Sequence, residues 1–218
     1  VVFWQVDLAE IGTIRSLPLQ QLAVDVKAES ITIINNVGLR GATNFLEETE
    51  DSWAESINAS LSASVFLAQL AIDVASKMCL SLTICNISSV LSTLVGPQAA
   101  SYGVVKAGLE YLTKYYAVLS RDLGLPIKSV AIAPGMVVQN RHAERYFSPD
   151  NSRYRELVEL VHPQDSYATD GDLSDFVFWL TEESPKFFNG QTVVFDGGLT
   201  LQEPLSVAHR IATHLSHS

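Results

Sequence analysis

Apolar positions along the chain alternate between short β-branched runs and longer stretches with helical spacing. Residues 1–6, Val-Val-Phe-Trp-Gln-Val, read as a buried strand, and residues 13–29 as a helix despite Pro18 near its start. The β-branched run 30–34 predicts a strand that stops at Asn35-Asn36-Val37-Gly38. A long helix is expected over 51–77, with Asp51 or Ser52 as its cap. Residues 80–87 read as a second strand and 100–123 as a long helix closed by Gly124. A third strand over 129–133 ends at Pro134-Gly135. A helix over 170–183 and a last strand over 191–195 lead into Asp196-Gly197-Gly198.

Strands alternating with helices imply βαβ units, so the expected fold class is α/β: a doubly wound, mainly parallel sheet in a three-layer, Rossmann-like arrangement. The wholly apolar strands agree, because such sheets are covered on both faces. No linker or repeat divides residues 1–218, so one domain is expected. Residues 136–169 form a long polar-aromatic connection, expected to be a substrate lid, and 200–218 a C-terminal tail. The chain opens at Val1 directly in an apolar run, so a preceding segment of about 50 residues, enough for a further βαβ unit, is expected.

Composition narrows the function classes. With 14 Lys plus Arg against 24 Asp plus Glu, the net charge is −10, which disfavours nucleic acid and anionic membrane surfaces as partners. The apolar patches 64–74 and 129–138 are interrupted, so no membrane-spanning segment is expected. Cys79 and Cys85 lie in an apolar stretch and read as small buried thiols, consistent with a reducing, cytoplasmic compartment. The five histidines show no metal-ligand spacing, and no metal is expected.

The chemistry concentrates between Asn86 and Lys106. Tyr102 and Lys106 at i and i+4 share one helical face, and Ser89 follows a strand end and projects over the same crevice. A phenol is a weak acid at neutral pH, and a nearby ammonium favours its phenolate. A serine hydroxyl beside it holds a carbonyl oxygen, so the set is suited to protonating a carbonyl as hydride arrives, or the reverse. Ser88 is the alternative serine, off by one in spacing. Arg141 and Arg145 share a helical face, where they meet either an anionic substrate group or only water.

These residues resemble the short-chain dehydrogenase/reductase family. Asn35-Asn36-Val37-Gly38 is similar to that family's Asn-Asn-Ala-Gly. Ser89, Tyr102 and Lys106 match its catalytic serine, tyrosine and lysine, and Asn58 the helix asparagine that holds a proton-relay water. Asp7, with Leu8 beside it, matches the aspartate that contacts the adenine. Pro134-Gly135 matches the turn beside the nicotinamide, and Asp196-Gly197-Gly198 the terminal strand. The resemblance implies a cofactor site at Asp7, Leu8, Asn36, Val37, Gly38, Ile87, Tyr102, Lys106, Pro134, Gly135, Val137 and Gln139. Two departures stand out. The family's Thr-Gly-x-x-x-Gly-x-Gly turn, which presents N–H groups to a pyrophosphate, does not occur in these 218 residues, and Gln139 stands where the family has a threonine. Without the resemblance, Asn58 reads as satisfying backbone in a helix bend, and Asp7 as a cap or solvated carboxylate.

The resemblance implies an NAD(P)-dependent oxidoreductase acting on a small carbonyl or secondary alcohol, with NADP set slightly ahead of NAD. It also implies a homodimer or homotetramer paired through helices 51–77 and 100–123, with the tail reaching a neighbouring subunit. The alternative is a shortened, non-catalytic relative acting as an assembly or regulatory subunit, since an open sheet without its first strands exposes an edge.

Overall fold

The computed structural model describes residues 2–39, 44–96, 100–139, 144–164 and 167–217. Its centre is a four-stranded, all-parallel sheet in the order β1 (Ser30–Asn35), β2 (Ser81–Ile87), β3 (Ile127–Pro134), β6 (Thr192–Phe195). The register pairs Ile34 with Cys85, Cys85 with Val130, and Ile132 with Val193. The helices include α1 (Ile11–Arg15), α2 (Leu19–Asp25), α3 (Glu50–Met78), α4 (Ala100–Leu123), α5 (Ser152–Val161), α6 (Asp170–Phe178) and α7 (Pro204–His217). Two short parallel strands, β4 (Val137–Val138) and β5 (Ala168–Thr169), tie the two ends of the 136–169 connection together.

The central strands are covered on both faces, as their uniform apolarity requires. On one face Leu82 and Ile84 pack against Ala68, Ala71, Val74 and Ala75 of α3 and Tyr116 of α4. On the other, Cys85, Ile87, Val130 and Ile132 pack against Leu180 and against Phe176, Trp179 and Phe195. Phe176 stacks on both Trp179 and Phe195, with ring centroids 5.8 and 5.1 Å apart. The edge strand β1 departs from this pattern and alternates exposed and buried positions.

Several expectations are corrected. Residues 2–6 are not a strand: among the described residues they form no ladder with the edge strand β1, which pairs with β2 alone. It packs through side chains instead. Trp4, Val6 and Leu8 close a cavity of about 320 Å³ against Ile34, Asn36 and Leu67. The expected helix over 13–29 is two helices, α1 and α2, broken at 16–18 because Pro18 has no N–H to donate.

Helix α3 is capped neither by Asp51 nor by Ser52. Thr49 is the N-cap, its hydroxyl accepting from the Ser52 amide at 3.1 Å while the Ser52 hydroxyl accepts from the Thr49 amide at 3.0 Å. By length and composition α3 is long and apolar enough to cross a membrane, contrary to the expectation of no such segment. In this fold its apolar residues pack on the sheet. Residues 179–183, expected to continue an α-helix, form a π-helical turn; the carbonyls of Thr181 within it and of Ser184 just after it accept from Lys128 Nζ, both at 3.2 Å. Cys79 is exposed, in a left-handed conformation that ends α3, whereas Cys85 is fully buried.

Candidate active site

The site is built at the C-terminal ends of the parallel strands, where β1 gives way to Asn36-Val37-Gly38 and β2 to Ser88-Ser89. Helix α4 crosses this end and brings Tyr102 and Lys106 to it. Lys106 is 2% exposed, and its ammonium donates to the Ile87 carbonyl at 2.7 Å and to the Val37 carbonyl at 3.3 Å. Burial with no carboxylate partner pulls its pKa down from 10.5 to about 8. The same ammonium stands 5.2 Å from the centroid of the Tyr102 ring.

Gly38 lies close against this pair. A Cβ there would stand 3.1 Å from Lys106 Nζ and 3.1 Å from Tyr102 Cε2, tighter than ordinary contact, so a side chain would push on both groups. Val37, Gly38, Ile87, Tyr102 and Lys106, which the family resemblance assigned to one cofactor site, meet at one point.

The two serines after β2 have different duties. Ser88 is buried, and its hydroxyl lies 2.7 Å from Glu110 Oε1 and 3.2 Å from the Lys106 carbonyl, so it fastens β2 to α4. The Ser89 hydroxyl accepts from the Leu91 amide at 3.2 Å as the cap of the turn Val90–Ser92, and that bond leaves its proton for another acceptor. Ser88 is thus occupied in the scaffold, and Ser89 is the serine able to donate.

Asn58 lies in a π-helical stretch, Ile57–Ser62, set into α3. Its carbonyl accepts from the Ala63 amide, and its side-chain oxygen accepts from Ser62 Oγ at 3.3 Å. A single-turn π-bulge re-aims the helix and is frequent at functional sites. The serines flanking Asn58 tether the loop after β1: Ser56 Oγ donates to the Leu39 carbonyl at 3.2 Å, and Ser60 Oγ accepts from the Leu39 amide at 3.4 Å. Nothing in the local sequence singled these serines out.

A buried polar network supports the same end of the sheet. Asn35 Nδ2 donates to Asn86 Oδ1 at 2.8 Å, and Asn86 Nδ2 donates to Thr113 Oγ1 at 2.8 Å and to the Leu109 carbonyl at 3.3 Å. Asn86 and Thr113 are fully buried, so β2 and α4 are joined by groups that cannot reach water, and half-buried Asn35 extends the network to β1.

The remaining predicted residues lie around this centre. Pro134 ends β3 opposite Phe195, and the Gly135 amide donates to the Phe195 carbonyl at 3.0 Å. A Cβ on Gly135 would lie 2.8 Å from Asp196 Cβ, which explains the glycine in this turn. Burial raises the Asp196 pKa, but hydrogen bonds from Thr200 and Gly198 outweigh it and hold the carboxyl below its usual range.

Val137 lies in β4 and half-buried Gln139 just follows it. Leu8, Asn36 and Val37 line the 320 Å³ cavity, whereas Asp7 is exposed and its carboxylate closes a turn by accepting from the Ala9 amide at 2.9 Å. Arg141 and His142 lie outside the described residues; Arg145 is exposed.

Comparison with known proteins gives this arrangement its relatives. A family model described as enoyl-(acyl carrier protein) reductase matches residues 20–200. The 3beta-hydroxysteroid dehydrogenase 1 of Eggerthella lenta is 29% identical over 168 residues, covering 77% of this chain and 62% of that protein. The 7alpha-hydroxysteroid dehydrogenase of Bacteroides fragilis is 30% identical over 182 residues, covering 79% of this chain and 65% of that protein. The chain thus spans less than two thirds of these relatives' lengths.

Among solved structures, ElxO with NADP bound superposes with a TM-score of 0.79 at 24% identity, covering 92% of this chain and 79% of that one. A gluconate 5-dehydrogenase from Burkholderia cenocepacia, in complex with NADP and tartrate, superposes with a TM-score of 0.76 at 24% identity, covering 91% of this chain and 74% of that one. These likenesses establish the fold. With the family model spanning most of the sequence, this chain belongs to the short-chain dehydrogenase/reductase family.

Proposed function

We propose that the protein is an NAD(P)-dependent oxidoreductase that interconverts a small-molecule carbonyl and a secondary alcohol, with Tyr102 as the general acid-base. The observation that carries this reading is the buried Lys106 ammonium, held by the Ile87 and Val37 carbonyls beside the Tyr102 ring.

The residues present fit the nicotinamide end of the cofactor. An ammonium has three N–H donors; two reach the Ile87 and Val37 carbonyls, and the third is left for a ribose hydroxyl. Gly38 provides a backbone surface that a side chain would fill. Val37, Ile87, Pro134, Gly135, Val137 and Gln139 would border the nicotinamide, and Leu8 and Asn36, which line the neighbouring cavity, would face the adenine. When bound, the cofactor supplies or accepts hydride at the substrate carbon.

The chain's own residues do the rest. Ser89 Oγ donates to the substrate carbonyl oxygen and orients it. Tyr102 Oη delivers a proton to that oxygen in reduction and removes it in oxidation. Lys106 stabilises the negative charge left on the phenolate oxygen, an effect strengthened by its burial. Asn58, at the π-bulge, supports the water through which the proton is replaced. NADP is set slightly ahead of NAD, and the relatives' structures with NADP or NADH are compatible with either.

Assembly is proposed through α3 and α4. Val104, Tyr111, Tyr115 and Val118 of α4 are exposed at helical spacing and form an apolar stripe suited to a second copy. Sedimentation that shows a monomer at every concentration would contradict this.

The test of function is consumption of reduced nicotinamide by the purified protein with a panel of ketones and aldehydes. Carbonyl-dependent oxidation of NADPH or NADH is expected; no oxidation and no binding of either nucleotide would favour the non-catalytic assembly subunit.

A further inference from the structure

The tail packs back on the domain: helix α7 lies on α5, within the 136–169 connection. The contact completes a set of hydrogen bonds. An α-helix leaves its last four carbonyls without partners. In α5 these are Val158, Glu159, Leu160 and Val161. His162 supplies two of the missing donors: its Nδ1 lies 2.6 Å from the Val158 carbonyl, and its amide donates to the Glu159 carbonyl at 3.2 Å. The C-terminal segment supplies the other two. Arg210 Nη1 donates to the Leu160 carbonyl at 3.1 Å, and Gln202 Nε2 to the Val161 carbonyl at 2.6 Å. A further contact joins His214 Nε2 to Glu156 Oε1 at 2.6 Å, beside the Arg153–Glu156 pair.

Helix α5 needs this support. It has 10 residues, and Val158 is the one buried among them. Helices shorter than about 12 residues are marginal on their own in water. The connection that contains α5 leaves the C-terminal end of β3, the same end of the sheet at which Ser89 follows β2, and ligands of open parallel sheets bind outside that end.

We propose that the segment 202–217 is an intramolecular clamp that holds α5 over the substrate side of the site, with Gln202 and Arg210 as positioning residues that set substrate affinity. The affinity role rests on the oxidoreductase reading; the clamp itself does not. Neither residue touches the reacting atoms, and neither is buried, so their substitution leaves the sheet and α4 intact.

The experiment compares the whole chain with a Gln202→Leu, Arg210→Met double variant by amide hydrogen exchange and steady-state kinetics. Amides of 152–161 are expected to exchange about tenfold faster or more, with those of α4 unchanged. KM for the carbonyl is expected to rise at least about threefold while kcat stays within about twofold, and Arg210→Lys, which keeps a donor, to lie near wild type. Unchanged exchange in 152–161 overturns the clamp. Faster exchange with an unchanged KM overturns the positioning role and leaves a structural one. If the wild-type chain reduces no carbonyl with either nucleotide, the oxidoreductase reading and the affinity role fail together, and exchange alone still decides the clamp.

Discussion

The Lys106 ammonium is held 2.7 Å from the Ile87 carbonyl oxygen, at the point where the central strand β2 ends. This joins the helix that carries Tyr102 to the strand that leads to Ser89. It also places a cation where burial works against its charge.

The pH dependence follows from that burial. Folding lowers the Lys106 pKa from 10.5 to about 8. Below pH 8 both folded and unfolded chains carry the proton, and the folded state bears the full desolvation cost. Between pH 8 and 10.5 the unfolded chain binds more protons, so this group's contribution to stability rises with pH. Relative to Lys106→Met, wild type is expected to gain on the order of 3 kcal/mol across this window in urea denaturation. Activity has the opposite trend: kcat is expected to fall above pH about 8 as the ammonium is lost.

Gly38→Ala is a steric test of the site. The added methyl would lie 3.1 Å from both Lys106 Nζ and Tyr102 Cε2. Displacing catalytic groups by fractions of an ångström is expected to lower kcat by about tenfold or more while the chain stays folded. Near wild-type kcat would show that the Tyr102–Lys106 spacing does not matter to turnover.

Asn86→Ala tests the scaffold. It leaves the half-buried Asn35 amide and the buried Thr113 hydroxyl each short of a partner and opens a void in the core. A loss of about 2–4 kcal/mol is expected in equilibrium unfolding. A loss below about 1 kcal/mol would mean that the network contributes little.

Thiol labelling separates the cysteines. Cys79 is exposed, whereas burial pushes the Cys85 thiol up to about 12. One thiol per chain is expected to react with a disulfide reagent under native conditions, and the second only on unfolding.

The sequence was most readable where a local pattern and the tertiary environment agree. The apolar runs of β2 and β3 demand cover on both faces, and the i, i+4 spacing of Tyr102 and Lys106 is fixed by the helix alone. Residues 2–6 have the same apolar character but form no ladder with any strand among the described residues, and an apolar run is not a strand until it has a ladder. The Thr49 cap was missed because its partner at N3 is Ser52 rather than the usual Glu or Gln. Ser56 and Ser60 on Leu39, Glu110 on Ser88, and Gln202 and Arg210 on the end of α5 all join distant segments, and no local spacing displays such pairings. Gln202 and Arg210 of the tail reach α5 because the end of that helix offers carbonyls with no partner of its own.

The most direct measurement of the central claim is single-turnover oxidation of reduced nicotinamide by Tyr102→Phe beside wild type, with circular dichroism as the control on folding. Removing one hydroxyl from the proposed acid-base is expected to lower the rate at least about 100-fold with an unchanged spectrum. A folded Tyr102→Phe protein turning over within about threefold of wild type would contradict the account, because the proton would then come from elsewhere.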